Sequence, residues 1–459
     1  MGESLTLRIN GLTERLAGVS PTLTLLEYLR TSGRVGTKEG CAEGDCGACT
    51  VAVRHGDGFL AVNSCIVPLG AASGQEIVTA EGLADGNTLH PVQEALARAG
   101  GSQCGYCTPG FVMSLFAAGY SGERGDAVLE GNLCRCTGYR PIRDAARSLG
   151  APAGDDRFLA HGAPGEPESY SATGAHFFHP KTLTEALELL GAHPDAKLFA
   201  GGTDVGVELN KLGQHYPVLV SLMHVPELRR FEATAAGLKL GAALTLTELE
   251  TRLQERLPPL ATMLRSFAAR PIRNRATLGG NLATASPVGD LAPVLLSQNA
   301  SLTLASAEGE RTVALSAFFT GYRTTVQRPG ELIKTVTVPK LQPGSVAAVY
   351  KVGKRGADDI STVAAAFSVS LAPDGTVAAA RLAYGGVAAT PVRAADVEAY
   401  LLGKPWNAAT AADAATRLRT TFEPLSDLRG SAAYRRALVG NLFEKFFYEH
   451  ADAGAEVAA

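Results

Sequence analysis

No run of apolar residues in this chain approaches the ~18 needed to cross a membrane. The opening residues, MGESLTLRIN, lack the basic start and apolar stretch of a secretory signal. A net charge of −3 gives no electrostatic reason to expect a nucleic acid. Neither G-x-G-x-x-G nor G-x-x-x-x-G-K-[ST] occurs, so neither a Rossmann fingerprint nor a P-loop supports nucleotide binding. No internal repeat is visible, and cysteine is missing altogether after position 136. These absences lead us to expect a cytoplasmic protein with no membrane or nucleic-acid partner. At 459 residues, 46% hydrophobic and 19% charged, the chain has the length and composition of about three ordinary globular domains. Gly2 and Thr6 match a loose myristoylation pattern, but Leu5, Leu7 and Ile9 alternate as a strand does, which is the reading adopted here.

What is present is a group of eight cysteines, all between residues 41 and 136. Disulfide frameworks belong mainly to small secreted domains, whereas grouped thiols in a long chain without an export signal more often hold metal. Cys41, Cys46, Cys49 and Cys65 are separated by four, two and fifteen residues, the plant-type ferredoxin spacing for a 2Fe–2S cluster. The loop EGCAEGDCGACTV can wrap such a compact anion, its backbone N–H groups donating to sulfur where Gly40, Gly44 and Gly47 allow close approach. Cys104 and Cys107 lie in SQCGYCTPG, and Cys134 and Cys136 in GNLCRCTGYRPI. Each pair precedes a predicted helix, whose positive end would face the cluster. A zinc site or a redox disulfide remains the alternative for these thiols, with only His55 near the first group.

The elements around them predict an α+β multidomain chain. SLTLRINGLTERLA reads as two strands about the Asn10-Gly11 turn, and TLTLLEYLR as a helix carrying Leu23, Leu25, Leu26 and Leu29. TVAVRHGDGFLAVN is a second hairpin, turning near Gly56-Asp57-Gly58. NTLHPVQEALARAG, PGFVMSLFAAGYS and PIRDAARSLG read as helices, two of them opening on proline. Residues 151–171 have the Gly, Pro and acid content of a linker. Strands and helices then alternate, and the tail ADAGAEVAA is expected to fray. We expect domains at 1–80, 81–157, 172–344 and 345–455, with a linker at 158–171.

The two cysteine motifs together, QCGYCTPG and NLCRCTGYRPI, resemble the xanthine dehydrogenase / aldehyde oxidase family of molybdenum hydroxylases. The resemblance extends along the whole chain. It implies a ferredoxin-like β-grasp 2Fe–2S domain, a helical-bundle 2Fe–2S domain, and an α+β FAD-binding domain with a C-terminal α+β subdomain. Cys41, Cys46, Cys49, Cys65, Cys104, Cys107, Cys134 and Cys136 would then ligate two 2Fe–2S clusters.

Two glycine-rich turns, LFAGGTDVGVEL and RATLGGNLATASPVGD, suit a pyrophosphate held by backbone donors, although either alone reads as a tight turn. By the resemblance, Leu198, Phe199, Ala200, Gly201, Gly202, Thr203, Asp204 and Val205 form the first flavin loop. Phe267, Thr277, Gly280, Asn281 and Asp290 belong to the second FAD segment, and Ile333 and Lys351 complete the site. Gln103 would approach the pterin, while Tyr322, Asp358 and Asp359 would lie near NAD or control its access.

The resemblance implies the iron–sulfur/FAD chain of a xanthine dehydrogenase in purine catabolism. Electrons from hypoxanthine or xanthine would enter from a molybdopterin-binding large subunit and leave through FAD to NAD, in a dimer of heterodimers. No catalytic residue is expected in this chain, because the family's proton-abstracting carboxylate belongs to the molybdenum domain. The alternatives are the reductase chain of a related hydroxylase acting on aldehydes, CO or aromatic acyl-CoA, and a non-catalytic iron–sulfur carrier. Arg265, Arg270, Arg273 and Arg275 read as a solvated face or subunit contact. His176 and His179, lacking a third ligand, read as structural.

Overall fold

In the computed structural model, which describes residues 2–159, 165–342, 344–356 and 358–452, the alternation at the N-terminus becomes strand β1 (Ser4–Ile9). Leu5, Leu7 and Ile9 are all buried there. Asn10 (φ 50°) and Gly11 (φ 84°) take the left-handed conformation of a tight hairpin turn into β2 (Leu12–Ala17). Helix α1 (Leu25–Thr31) starts where the Thr24 hydroxyl accepts from Glu27 N–H, so Leu23 precedes the helix. Strands β3 (Thr50–His55), β4 (Gly58–Asn63) and β5 (Glu76–Val78) complete a sheet in the order β2-β1-β5-β3-β4. β5 runs parallel to β1 and antiparallel to β3. Leu25 and Leu29 of α1 pack with Leu5, Leu7, Ile9 and Val51, giving the β-grasp arrangement.

Helices α2 (Pro91–Arg98), α3 (Thr108–Ser121) and α4 (Arg140–Ser148) follow. The first ten residues of α3 are almost all apolar or small, and the helix is buried from Gly110 to Ala118. A helix apolar all round has to lie centrally, and α3 shares one core with Phe59 and Ala61 of β4 and with α2 and α4. The two cysteine-bearing domains are therefore packed as one body.

The expected linker is tied down where it is described. Phe158 packs edge-on to Phe59 and Phe116, and the Asp156 carboxylate accepts the Tyr120 hydroxyl at 2.6 Å. Arg157 donates to the carbonyls of Gly82, Leu83 and Ala84. Glu168 N–H donates to Ser73 Oγ at 3.0 Å. The part of the linker at 160–164 and the tail at 453–459 lie outside the described residues.

A second sheet, β6-β7-β9-β8, joins β6 (Tyr170–Ala172), β7 (Ala175–Phe178), β8 (Lys197–Phe199) and β9 (Val218–Ser221), with β7, β9 and β8 parallel. Helices α5 (Leu183–Ala192) and α6 (Val205–Asn210) lie between its strands in sequence. All of this belongs to one compact unit, Met1–Val225 with Ala268–Ala276. The second unit is Pro226–Phe267 with Thr277–Ala459, so residues expected in one flavin domain at 172–344 contribute to both units.

In the second unit, strands Phe231–Thr234, Gly237–Gly241, Leu332–Pro339, Ser301–Ser306 and Gly309–Ala314 form an antiparallel sheet in that order. Ser345–Val352, Val363–Leu371, Val377–Gly385 and Val392–Arg393 form another. Phe367 and Tyr384 of this sheet meet Phe443 and Phe446 of the helix Ala432–Glu449 in an aromatic-rich core.

Candidate iron–sulfur and flavin sites

The first thiol nest hangs from β3 and the segment that follows β4. Ala42 (φ 61°), Gly44 (φ 84°) and Gly47 (φ 67°) give the loop the left-handed turns that curl it inward. Cys41 Sγ accepts from the N–H groups of Glu43 (3.4 Å) and Cys46 (3.3 Å), and Cys46 Sγ accepts from Cys41 N–H at 3.3 Å. A Cβ on Gly40 would stand 2.6 Å from Cys46 Sγ, so this glycine keeps space beside the sulfur. Asn63 donates to Gly44 O at 2.5 Å, holding the loop to the end of β4. Asn210 caps it from α6, donating to Ala42 O and Cys65 O at 3.0 Å each, and Lys211 Nζ reaches Cys41 O at 2.8 Å.

The thiols converge in pairs. A hydrogen bond from Cys46 draws Cys41 down to about 5, and the same bond raises Cys46. Buried Cys49 is likewise lowered by Cys65, which is raised in turn. Two thiols held close through one shared proton are a preformed bidentate grip for a cation that replaces that proton.

The second nest repeats the design. Cys104 is lowered by the N–H of Tyr106 and then by Cys136, while Cys136 is raised by Cys104. Burial, reinforced by the bond to Cys134, pushes Cys107 up to about 12. Cys134 is pushed up by burial, but the hydroxyl and N–H of Thr137 outweigh it and the thiol falls. α3 begins directly after Cys107, as the sequence suggested. Cys104 and Cys136 are exposed, whereas Cys134 is buried.

None of the eight thiols is in a disulfide. Among the described residues no three His, Cys, Asp or Glu side chains are grouped so as to hold one metal ion. Four thiols to a nest, converging in pairs, suit a dinuclear iron–sulfur cluster.

The residues expected to serve a flavin fall in both units. In the first, β8 runs into Gly201 and Gly202, the latter at φ 79°. Arg275 Nε donates to Gly201 O at 2.8 Å, and a Cβ on Gly201 would stand 1.7 Å from Arg275 O, so only glycine fits. In the second unit, Thr277 caps the helix Leu278–Ala283, its hydroxyl accepting from Gly280 N–H at 3.2 Å. Asn281 Oδ1 is buried without a hydrogen-bond partner, an acceptor that a cofactor hydroxyl or N–H would satisfy. Lys351 Nζ bonds Asp290 at 2.8 Å and Ser266 O at 2.9 Å, and Ser361 donates to the other Asp290 oxygen at 2.5 Å. Ile333 is buried in strand Leu332–Pro339, and Phe267 follows the helix Pro258–Ser266 half-buried. Gln103 and Tyr322 are exposed, and the Asp359 carboxylate accepts from the N–H groups of Lys354 and Arg355.

Arg265 is exposed as read, but the other three arginines do not form a solvated face. Arg273 is among the largest fully buried side chains and donates to Ala268 O at 3.0 Å. Arg270 pairs with Glu123 at 3.3 Å. Arg275, pushed down to about 10 by burial, remains a cation beside the turn at Gly201. Glu123 and Gly201, the partners of Arg270 and Arg275, are distant in sequence, and charge counting could not reveal them. The histidines are structural as read: His176 meets Ser171 Oγ at 2.7 Å, and buried His179 meets Gly70 O at 2.9 Å.

Four family models match in series: a 2Fe-2S iron-sulfur cluster binding domain at 7–80 and a [2Fe-2S] binding domain at 79–147, then the FAD binding domain in molybdopterin dehydrogenase at 171–341 and the CO dehydrogenase flavoprotein C-terminal domain at 348–450. Xanthine dehydrogenase of Emericella nidulans is 34% identical over 97% of this chain, and that of Drosophila pseudoobscura pseudoobscura 36% over 96%. The chain spans 38% of the length of each of these two relatives. Among solved structures, a chain of carbon monoxide dehydrogenase from Hydrogenophaga pseudoflava is 30% identical with a TM-score of 0.57, covering 62% of this chain and 98% of that one. A chain of quinoline 2-oxidoreductase from Pseudomonas putida 86 gives 29%, 0.56, 62% and 98%. The chain thus belongs to the xanthine dehydrogenase family of molybdenum hydroxylases, whose two iron–sulfur domains and flavin-binding domain it carries.

Proposed function

We propose that this chain is the electron-transfer part of a xanthine dehydrogenase in the cytoplasm. It would work with a molybdopterin-bearing large subunit that oxidises hypoxanthine or xanthine, and with NAD as final acceptor, in a dimer of heterodimers. The observation that carries this reading is the pairing of eight thiols in two nests, on a chain that xanthine dehydrogenases match over 96–97% of its length. Bound 2Fe–2S clusters supply one-electron steps, and bound FAD converts single electrons into the pair that reduces NAD.

The residues divide the work. Cys41, Cys46, Cys49 and Cys65 hold one cluster, and Cys104, Cys107, Cys134 and Cys136 the other. The exposed thiols Cys104 and Cys136, beside exposed Gln103, give the second nest an open edge for a donor protein. Leu198 to Val205, Phe267, Thr277, Gly280, Asn281, Asp290, Ile333 and Lys351 serve FAD. Tyr322, Asp358 and Asp359 border the path of NAD.

The solved carbon monoxide and quinoline oxidoreductase chains match only 62% of this chain, so the fusion of cluster and flavin parts favours the xanthine reading. The test is reconstitution. The chain alone oxidises NADH with an artificial dye, and xanthine-dependent NAD reduction appears only when a molybdopterin-bearing polypeptide is added. Turnover of CO, quinoline or an aldehyde in preference to xanthine by that complex would reassign the substrate. Xanthine oxidation by this chain alone would overturn the division of labour.

A further inference from the structure

Four hydrogen bonds lock a turn against the Cys134 sulfur. Thr137 Oγ1 lies 3.1 Å from Cys134 Sγ, and Thr137 N–H donates to the same sulfur at 3.4 Å. Tyr139 N–H donates to Thr137 Oγ1 at 3.1 Å, and Cys134 N–H donates to the Tyr139 hydroxyl at 3.0 Å. Tyr139 is held at φ 68°, a backbone conformation that a large side chain adopts only when its surroundings insist. Its ring rests edge-on against Phe111, with centroids 6.3 Å apart.

The arrangement fixes a direction. The Thr137 oxygen accepts from the Tyr139 amide and keeps its own proton free to donate to the sulfur 3.1 Å away. A ligating thiolate has no proton to return, so the bond runs from oxygen to sulfur only. Cys134 is the buried ligand of the second nest, opposite the exposed pair Cys104 and Cys136, and a hydrogen bond there is less weakened by water. Reduction adds negative charge to a cluster, and donors aimed at its sulfurs favour the reduced state.

We propose that Thr137 raises the reduction potential of the second cluster through its hydroxyl bond to Cys134 Sγ, with the Tyr139 backbone holding that hydroxyl in place. Thr137 is a positioning residue, not a ligand, and the proposal rests on the iron–sulfur reading of the eight cysteines. It gives that cluster a potential set from within this chain, before any partner docks on the open edge.

The test is a redox titration followed by electron paramagnetic resonance on the full chain, wild type against Thr137→Val and Thr137→Ser. Valine keeps the branched shape and removes the donor. The second cluster's midpoint should move to more negative potential in Thr137→Val, stay at the wild-type value in Thr137→Ser, and leave the first cluster unmoved in both. An unshifted midpoint in Thr137→Val, or equal shifts in both clusters, overturns the proposal alone. Absence of a second cluster from the wild type overturns the parent reading along with it. Should Thr137→Val fail to assemble its second cluster, the reduced wild-type protein decides. After exchange into deuterated water it must show a hydroxyl deuteron coupled to the second cluster, and no such coupling overturns the proposal.

Discussion

The carbonyl of Cys46 accepts the N–H of Leu133 at 3.0 Å, and the residue after Leu133 is Cys134. One hydrogen bond and one peptide therefore connect the two thiol nests. Close backbone contact makes this possible. A Cβ on Gly47 would lie 2.1 Å from Gly131 O, and one on Gly110 would lie 2.2 Å from Gly47 O. Asn132 fastens the contact, donating to Gly47 O at 3.0 Å and accepting from the Ser114 hydroxyl at 2.6 Å.

Asn132→Ala should accordingly loosen the joint. Asn132 is 4% exposed, and its loss leaves Ser114 and Gly47 O without these partners. The expected destabilisation is about 2–3 kcal/mol, measured by urea unfolding. The magnetic splitting between the two reduced clusters should also shrink. A variant as stable as wild type with the splitting intact would show that Asn132 does not hold the nests together.

Metal content follows from the thiol count. Eight cysteines at four per cluster give about four irons and four acid-labile sulfides per chain, with little zinc. Cys46→Ser should abolish one of two paramagnetic signals and Cys134→Ser the other. Stoichiometric zinc without labile sulfide would end the iron–sulfur assignment.

How much of this was legible in the sequence depends on distance along the chain. The first hairpin, α1 and the cysteine spacings are local patterns, and they stand as read. Leu23 falls before α1 because Thr24, one residue later, supplies the cap. The packing of 151–159 was hidden, since Phe158 and Arg157 sit in a stretch whose Gly, Pro and acid content reads as linker. Asn132, Asn210 and Arg275 act on carbonyls that are 85, 168 and 74 residues away. Nothing in periodicity signals such partners. Thr137 was within reach of sequence reasoning, because it stands three residues after Cys134 in a turn.

Gly201→Ala and Gly202→Val test the first flavin loop. The added Cβ at 201 would lie 1.7 Å from Arg275 O, and at 202 it would lie 2.3 Å from the Phe199 ring at a φ of 79°. Both should displace the loop and release FAD on gel filtration while both cluster signals persist. Full retention of flavin in both variants would remove residues 198–205 from the site.

Acid sensitivity should centre on His179. Burial pushes it down to about 4, its Nε2 engages Gly70 O, and its Nδ1 has no partner to receive a second proton's hydrogen bond. The folded state therefore binds fewer protons than the unfolded state between pH about 4 and the ordinary 6.5. The neutral ring's contribution is whole above the upper value and is lost as the pH falls toward the lower one, by on the order of 3 kcal/mol. Urea midpoints for wild type should drop between pH 7.5 and pH 5, and His179→Gln should flatten that part of the drop. An identical pH slope in the variant would assign the sensitivity to other groups.

Lys351 and Asp290 allow structural and cofactor roles to be separated. Their side chains are 10% and 7% exposed, 2.8 Å apart, and Asp290 is further held by Ser361. Lys351→Met removes one member of a buried pair and leaves the carboxylate uncompensated, which costs about 3–5 kcal/mol. Lys351→Met combined with Asp290→Leu removes both charges, so much of that loss should return, since apolar replacements of a buried pair are often neutral. Flavin binding should not return with it if these polar groups serve FAD directly. Calorimetric melting of the second unit reads the first effect, and flavin fluorescence released on dilution reads the second. A double variant that regains both stability and flavin would reduce the pair to scaffold and place the second unit's cofactor contacts on Thr277, Gly280 and Asn281.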